Sequence, residues 1–329
     1  MLTPGRLANF LATNSSYLLS VLTGRPFVWG QPCSMTIEPA AICNLSCPHC
    51  PAGTKKVDRR NKTIDPELFR HIIDQAAPGT GYLMLYFQGE PLLHRDFIDL
   101  VSYAGKKRMY TVTATNGQLI TNEVAQRLID SGLNELIVSV DGTDQETYSL
   151  YRRGGSFDQL VEGIRNLVKY KTERHRYYPR IILQFIVFRH NQHQIKEIKK
   201  LARVLGADRV RIKSAFLYPV PGAGDLLPGI KKYRRYHVAE DGSLILRRKM
   251  KNRCRRIWHT AVVTSDGDLV PCCFDKETSM KIGSLKKKPL KELWKNSEFM
   301  SFRRRILQER KSSDICRNCT EGLGRIIFK

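Results

Sequence analysis

Three cysteines near the beginning of the chain form its densest group of chemically active side chains. Cys43, Cys47 and Cys50 lie in the stretch "AICNLSCPHCPAG" at the spacing C-x3-C-x2-C. Thiolates are soft ligands that suit zinc or iron–sulfur clusters, and a structural zinc site takes four ligands. A cubane 4Fe–4S cluster held by three thiolates keeps one iron open for a small molecule. The triad therefore predicts a cluster with an open iron, and the alternatives are a zinc site or a chance spacing.

A second cysteine group lies in the last quarter of the chain. It comprises Cys254, Cys272, Cys273, Cys316 and Cys319. Four thiolates could hold a tetrahedral zinc ion or a fully ligated 4Fe–4S cluster. The ligands that we predict are Cys254, Cys272, Cys316 and Cys319. Cys273 is then the spare thiol, although it could exchange roles with its neighbour, and Cys33 is expected to be a buried or incidental cysteine.

Cysteine usage and hydropathy indicate the compartment. Nine cysteines without a recognisable secretory signal favour metal or redox ligands over disulfides, and we expect a cytoplasmic protein. No apolar run reaches the length of about 18 residues that a membrane-spanning helix needs. Residues 7–22 show a helical apolar period without any charge. We expect this helix to pack against the body of the protein, and the alternative is an interfacial helix that contacts a membrane.

Positive charge is concentrated in the second half of the chain. The formal net charge is +24, yet residues 1–150 carry 13 Lys and Arg against 14 Asp and Glu. Residues 151–329 hold 42 basic against 17 acidic groups. This asymmetry favours an anionic partner on the second half, and the alternative is a basic surface that only keeps the protein soluble.

Short β-rich runs alternate with amphipathic stretches from residue 35 to about residue 213. The β-rich runs read SMTIEP, YLMLYFQ, YTVTAT, ELIVSVD, RIILQFIVF and DRVRIKS. Six strands alternating with helices predict a parallel α/β fold, either an open doubly wound sheet or a partial barrel. Both place ligands at the C-terminal ends of the strands, and the cysteine triad directly follows the first strand.

The triad in this position resembles the signature of the radical S-adenosylmethionine (SAM) superfamily. In that family SAM chelates the open iron, and the reduced cluster cleaves it to a 5′-deoxyadenosyl radical that abstracts a substrate hydrogen. Further segments resemble the family's motifs in the expected order. They are Gln88-Gly89-Glu90-Pro91, Thr115-Asn116-Gly117, Ser139-Val140-Asp141-Gly142 and "YRRGGSFD", which contains Arg152.

The resemblance implies a role for each of these segments. Gly89, Glu90 and Pro91 correspond to the family's G-G-E-P, which receives the methionine ammonium, and Gln88 replaces the first glycine. Asn116, Ser139 and Asp141 correspond to family positions that contact the ribose and the carboxylate of SAM. Arg152 corresponds to an arginine directed at the methionine carboxylate, and His49 to an aromatic position near adenine.

The C-terminal segments "CRRIWHTAVVTSDGDLVPCCFD", "IGSLKKKPLKELW" and "CRNC" resemble the SPASM/twitch extension of the same superfamily. That extension carries auxiliary clusters, and the cysteines here suffice for one. The implied architecture is a partial (β/α)6 TIM-like barrel with a small C-terminal iron–sulfur-binding α+β extension. The expected segments are an N-terminal amphipathic helix (1–32), the barrel (33–216), a basic linker (217–253) and the auxiliary-cluster domain (254–329).

The resemblance predicts an oxidoreductase with two 4Fe–4S clusters and SAM as cofactors. The main hypothesis for its substrate is a sugar or cyclitol metabolite that the enzyme dehydrogenates, as in 2-deoxy-scyllo-inosamine dehydrogenase, with the auxiliary cluster relaying electrons. The alternative is a maturase that modifies a peptide or protein. A remote alternative is a non-catalytic cluster protein that binds nucleic acid. The expected partners are an anionic substrate and an acidic flavodoxin or ferredoxin.

Overall fold

The computed structural model describes residues 3–217, 223–247 and 250–319. Within these residues the largest sheet has nine strands, in the order β11-β10-β9-β1-β2-β3-β4-β5-β6. Its strands are β1 (Ser34–Ile37), β2 (Tyr82–Met84), β3 (Tyr110–Thr115), β4 (Glu135–Ser139), β5 (Arg180–Val187), β6 (Arg209–Ser214), β9 (Thr260–Val263), β10 (Asp268–Val270) and β11 (Gly283–Ser284). A separate hairpin pairs β7 (Tyr236–Val238) with β8 (Leu244–Leu246).

Helices separate the strands, precede the first strand and follow the last one. They are α1 (Pro4–Thr23), α2 (Pro66–Ala76), α3 (Phe97–Lys106), α4 (Asn122–Asp130), α5 (Gln145–Tyr151), α6 (Phe157–Glu173), α7 (Ile195–Leu205), α8 (Arg256–His259), α9 (Leu290–Leu293), α10 (Ser297–Glu309) and α11 (Asp314–Arg317). Side-chain caps fix where several of them begin. The oxygens of Asp65, Thr121 and Ser156 accept hydrogen bonds from backbone amides in the first turns of α2, α4 and α6.

The strand order confirms the predicted partial barrel. Strands β1 to β6 pair in sequence order and in parallel, whereas a doubly wound sheet reverses its order partway across. Their outward side chains form the main core with the helices. On the inner face, Val112, Ile137 and Ile182 from three neighbouring strands form a small buried cluster. Alternate residues of each strand therefore line the barrel interior, as the pleat requires.

The C-terminal strands continue the barrel sheet. Strand β9 pairs in parallel with β1, and β10 and β11 follow as an antiparallel edge. The segment that carries the second cysteine group is therefore paired with β1, the strand that leads into the first cysteine group. The predicted division at residue 254 stays a prediction, and residues 320–329 of that predicted domain lie outside the described residues.

Two predicted elements differ from the structure. The expected strand over 82–88 ends at Met84, because the chain must turn through Gly89 at a φ of +64°. The stretch PLKELWKNSEFMSFRRRILQ (289–308), whose sequence pattern predicts one helix, is divided into α9 and α10, because the Asn296 side chain caps the second helix by accepting from the Phe299 amide. The basic linker also has structure of its own, since Tyr236 of β7 is buried beside Phe188 and Leu217.

A buried arginine organises the C-terminal helices. Arg303 of α10 is fully buried, and its guanidinium carbon lies 3.7 Å from the centre of the Phe299 ring and 4.5 Å from that of Trp294. Its nitrogens donate to the carbonyl oxygens of Ile257 (3.1 Å) and Trp294 (2.7 Å). One guanidinium thus joins α8, α9 and α10.

We expect Arg303→Ala to lower the free energy of unfolding by roughly 3 kcal/mol, because it creates a cavity and leaves buried carbonyls without donors. Urea denaturation of the reconstituted protein measures this change. Arg304→Ala is the matched control, since Arg304 is the exposed neighbour on the same helix. Equal stabilities of the two variants would contradict this role for Arg303.

Candidate functional site

The first cysteine group lies in a loop at the C-terminal end of β1. The Leu45 side chain is buried, and the Ser46 amide donates to the Arg153 carbonyl oxygen at 3.0 Å. Gly53 closes the loop so tightly that a Cβ there would lie 2.6 Å from the Cys47 nitrogen. The loop conformation is therefore set by backbone contacts and does not depend on the thiols alone.

The three thiols of this loop fit a cubane cluster. Cys47 lies within electrostatic reach of Cys43 and Cys50, and burial raises the pKa of its thiol to about 11 although Arg152 opposes the shift. A metal must therefore displace the Cys47 proton on binding. No group of three or more Cys, His, Asp or Glu side chains in the described ranges is arranged to hold a single metal ion. A cubane needs no such convergence, because each thiolate binds a different iron.

The Gln88–Pro91 segment crosses directly behind the cysteine loop. A Cβ at Gly89 would lie 2.4 Å from the Ala40 carbonyl oxygen and 2.5 Å from that of Ile42, so only glycine fits here. The preceding position has no such restriction in this structure, and Gln88 is accommodated there as a buried residue. Gln88 therefore replaces the family's first glycine at a position where a side chain fits, whereas the restricted position keeps its glycine, Gly89.

Glu90 joins this segment to the end of β3. Its carboxylate accepts hydrogen bonds from the Thr115 hydroxyl (2.8 Å), the Asn116 amide (2.7 Å) and the Leu92 amide (3.2 Å). Burial raises the pKa of the Glu90 carboxyl, and these hydrogen bonds oppose the shift. Pro91 is buried in the short turn Pro91–Leu93 that follows. The Glu90 carboxylate is therefore hydrogen-bonded within the protein, and these bonds position the Asn116 loop beside the cysteines.

Asn116 and Arg152 place polar groups against the thiols. The side-chain nitrogen Nδ2 of Asn116 donates to the Asn44 side-chain oxygen at 2.7 Å and lies 3.8 Å from the Cys43 sulfur. A nitrogen of Arg152 lies 3.9 Å from the Cys47 sulfur. The structure thus brings both predicted residues to the cysteine loop.

Asp141 holds Arg152 in position. One carboxylate oxygen of Asp141 accepts from two guanidinium nitrogens of Arg152 at 2.8 and 2.7 Å, and the other accepts from the Ile186 amide at 2.7 Å. Burial disfavours the Arg152 charge, but Asp141 outweighs it and raises the pKa well above its usual value. Arg152 therefore stays cationic beside the thiols. Asp141 acts in this structure on Arg152 and the backbone.

The two remaining predicted residues border the same region. Ser139 is the last residue of β4, is buried and pairs in register with Gln184. His49 precedes Cys50 and is half-buried, and burial together with Arg153 lowers the pKa of its imidazole. His49 is therefore mainly neutral at pH 7, and its place beside the adenine stays a prediction.

A buried ion pair that sequence analysis missed connects this site to the C-terminal segment. Glu38, at the end of β1, accepts from the Arg59 guanidinium at 3.1 Å and from the amides of Gln88 (3.3 Å) and Ser265 (3.0 Å). Burial raises the pKa of the Glu38 carboxyl, whereas Arg59 opposes the shift. The signal in the sequence is a lone carboxylate that directly follows an apolar strand.

The second cysteine group surrounds another buried arginine. Arg310 lies within electrostatic reach of Cys254, Cys319 and Cys316, and one of its nitrogens donates to the Arg253 carbonyl oxygen at 2.9 Å. Cys272 lies in turn within electrostatic reach of Cys254. The structure thus brings the four predicted ligands of the second cluster into one region, and their assignment stays a prediction.

Cys273 lies beside cationic side chains that its neighbour Cys272 also faces. A nitrogen of Arg256 lies 2.6 Å from the Cys273 sulfur. The Lys276 ammonium lies 4.6 Å from the centre of the Phe87 ring and within electrostatic reach of both Cys273 and Cys50. Lys276 therefore lies between the two cysteine groups. The sequence gives no sign of this position, because the triplet Lys276-Glu277-Thr278 has the composition of an ordinary surface turn.

The barrel interior between the cysteine groups is polar and basic. Tyr86 packs against the inner cluster of β3 to β5 and lies within electrostatic reach of Arg211, Cys273 and Arg256. Arg211 on β6 pairs with Glu135 at 3.6 Å, and alternation places Arg209 and Lys213 on the same face of that strand. This face of β6 therefore carries three basic side chains, of which Arg211 is paired with a carboxylate and the other two are exposed.

Two family models match the chain. The radical SAM superfamily model matches residues 37–208, and the iron–sulfur cluster-binding SPASM model matches residues 254–320. A tungsten-containing aldehyde ferredoxin oxidoreductase cofactor-modifying protein of Pyrococcus furiosus is 26% identical over 299 residues, which cover 81% of this chain and 82% of that one. The PqqA peptide cyclase of Bradyrhizobium diazoefficiens is 27% identical over 195 residues, covering 58% and 48%.

A solved structure shows the same fold. The crystal structure of Streptococcus suis SuiB bound to SAM superimposes with a TM-score of 0.65 at 16% identity, covering 93% of this chain and 74% of that one. The sequence matches and the geometry of the cysteine loop agree. The chain therefore belongs to the radical SAM superfamily and carries a SPASM domain, so its cofactors are a 4Fe–4S cluster, SAM and auxiliary iron–sulfur.

Proposed function

We propose that this radical SAM enzyme modifies a peptide or protein substrate at an unactivated C–H bond. When bound, the reduced cluster and SAM supply a 5′-deoxyadenosyl radical that abstracts hydrogen. The observation that carries the proposal is the similarity of 58% of this chain to a PqqA peptide cyclase. The predicted sugar or cyclitol dehydrogenase is not confirmed, and these relatives favour the peptide alternative.

The open sheet supports a substrate that is a polymer. Among the described strands, β6 pairs only with β5, so the barrel has a free edge along Arg209–Ser214. A free edge leaves a lateral opening through which a chain segment can reach the interior. Inside the opening, Lys276 lies near Cys50 and Cys273, and a cation at this place favours a segment with acidic residues although burial lowers its pKa. This agrees with the sequence-based expectation of an anionic substrate.

The chain's own residues fix the geometry of the reaction. We assign SAM contacts to Glu90, Asn116, Ser139 and Arg152, with His49 beside the adenine. Arg152 carries the charge that suits the methionine carboxylate, and Asp141 prevents it from rotating away. The Glu90 hydrogen bonds keep the Asn116 loop fixed. Because these groups are positioned before SAM binds, little ordering accompanies binding.

Electron transfer is assigned to the second cysteine group. Four thiolates leave no iron open for substrate, so a cluster there suits the acceptance of an electron from a substrate radical. An acidic flavodoxin or ferredoxin suits the basic surface as the external donor. Oxidation of the substrate by this route would make the enzyme an oxidoreductase.

Deoxyadenosine release identifies the substrate class. The reconstituted enzyme is incubated with SAM, dithionite and either short peptides encoded beside its gene or a panel of aminocyclitols and sugar phosphates. We expect a peptide to increase the rate of 5′-deoxyadenosine release and to emerge with a changed mass. Stimulation by a cyclitol that loses two hydrogens, with none by peptides, would restore the dehydrogenase hypothesis.

Arg152→Lys is expected to weaken SAM binding about tenfold, because an ammonium cannot replace the bidentate geometry of a guanidinium. Equilibrium dialysis with labelled SAM under anaerobic conditions measures the affinity. Arg153→Lys is the matched control at the exposed neighbour, and both variants should keep the iron content of the parent. Unchanged affinity in Arg152→Lys at normal iron content would remove Arg152 from the SAM site.

Lys276→Met is expected to raise the half-saturating concentration of the stimulating peptide about tenfold, because a charge-assisted contact is lost. The rate of deoxyadenosine release as a function of peptide concentration gives this value. Lys287→Met, at an exposed lysine outside the interior, is the control. If both variants behave alike, Lys276 does not contact the substrate.

A further inference from the structure

Helix α1 is inverted in polarity: it buries polar side chains and exposes apolar ones, the reverse of an ordinary surface helix. Its buried positions are mostly polar, namely Arg6, Thr13, Ser16, Tyr17 and Ser20. Surface helices normally bury an apolar stripe and expose polar side chains. The apolar side chains that a soluble helix would bury must therefore lie on the other side.

Hydrogen bonds hold α1 in this orientation. The Arg6 guanidinium donates to the carbonyl oxygens of Ala77 (2.9 Å), Lys107 (2.9 Å) and Arg108 (2.5 Å). The Asn9 amide donates to Gln31 and Gly79 at 3.1 and 3.0 Å. These donors would lose buried partners if the helix rotated. The inversion is thus imposed by specific contacts.

The outward face of α1 carries a leucine stripe, which consists of Leu7, Leu11, Leu18 and Leu22 with exposed fractions of 44, 57, 46 and 84%. At about 100° per residue these four positions fall within an arc of about 60°. Trp29, 53% exposed, follows a few residues after the helix. Aromatic residues of this kind are enriched where protein meets the membrane–water interface.

The surroundings of the leucine stripe are positively charged. No Asp or Glu occurs in residues 1–37. Arg25 is exposed just after the helix, and the exposed Lys295 donates to the Trp29 carbonyl oxygen at 3.2 Å. Arg255 donates to the Asn14 side chain at 2.8 Å. The local charge is therefore positive, because Arg255 and Lys295 of the basic second half adjoin a segment without acidic residues. A second copy docked through the same face would be repelled, whereas a surface of anionic lipid would be attracted.

We propose that the leucine stripe docks this enzyme onto a membrane containing anionic lipid. The residues that hold α1 (Gln31, Ala77, Gly79 and Lys107) all precede strands β1 to β3, so α1 covers the N-terminal end of the barrel. The cysteine loop lies at the opposite end. Docking through α1 therefore turns the site towards the aqueous phase, where a soluble peptide can reach it. No helix in the described part of the chain is long and apolar enough to cross the bilayer.

Vesicle flotation of the full-length, reconstituted protein tests the docking. The probes are vesicles of phosphatidylcholine alone and of phosphatidylcholine with phosphatidylglycerol. We expect the parent protein to float only with the anionic vesicles, and added salt to weaken binding. Leu11→Gln/Leu18→Gln/Leu22→Gln should lower the bound fraction about tenfold or more without loss of cluster iron. This outcome is independent of which substrate the enzyme modifies.

The matched control compares two single variants at equally exposed positions. Leu22→Gln, at 84% exposure on the stripe, should reduce flotation, and Val204→Gln, at 81% exposure on α7, should not. Failure of the parent protein to float overturns the proposal, and so does flotation that the stripe variants leave unchanged. Sedimentation that shows a dimer of the parent and a monomer of the triple variant would assign the stripe to a second copy instead.

Discussion

The buried carboxylate of Glu38 is the constraint on which the arrangement of the site depends. It ends the strand that leads into the first cysteine loop, and it binds Arg59 and the amides of Gln88 and Ser265. These partners belong to the cysteine loop region, to the motif behind that loop and to the C-terminal hairpin. A buried carboxylate is costly without partners, so each segment must reach the position where it satisfies Glu38. The ion pair thereby fixes both cysteine-bearing segments relative to one strand.

The pairing of β1 with β9 gives this constraint its functional meaning. The two strands run in parallel, so the loop after β1 and the turn after β9 emerge at the same end of the sheet. The space between the two cysteine groups is then bordered by Lys276, Arg256 and Tyr86. A substrate in this space lies between the group that initiates the radical reaction and the one assigned to electron transfer. The opposite end is occupied by α1, which separates the chemistry from the proposed membrane surface.

The sequence predicts the barrel and the first cysteine group because those signals are local, whereas the second group is predicted from its resemblance to a known extension. Strand periodicity needs only neighbouring residues, and ligand spacing such as C-x3-C-x2-C is compressed into one loop. The roles of Glu38 and Lys276 are not predicted, because their partners are distant along the chain. Glu38, for example, accepts a hydrogen bond from the Ser265 amide. The apolar period of α1 predicts a helix but does not predict which face is buried. That face is decided by the acceptors of Arg6, which lie some hundred residues away along the chain. The substrate is not encoded in any motif that the cofactors require.

Anaerobic reconstitution with a count of iron and sulfide tests whether the two cysteine groups hold two separate clusters and whether the first one activates SAM. We expect about eight irons in the parent and about four after Cys43, Cys47 and Cys50 are all changed to Ala. With dithionite and SAM, only the parent should release 5′-deoxyadenosine. Zinc in place of iron, or full iron content without any deoxyadenosine, would contradict the account.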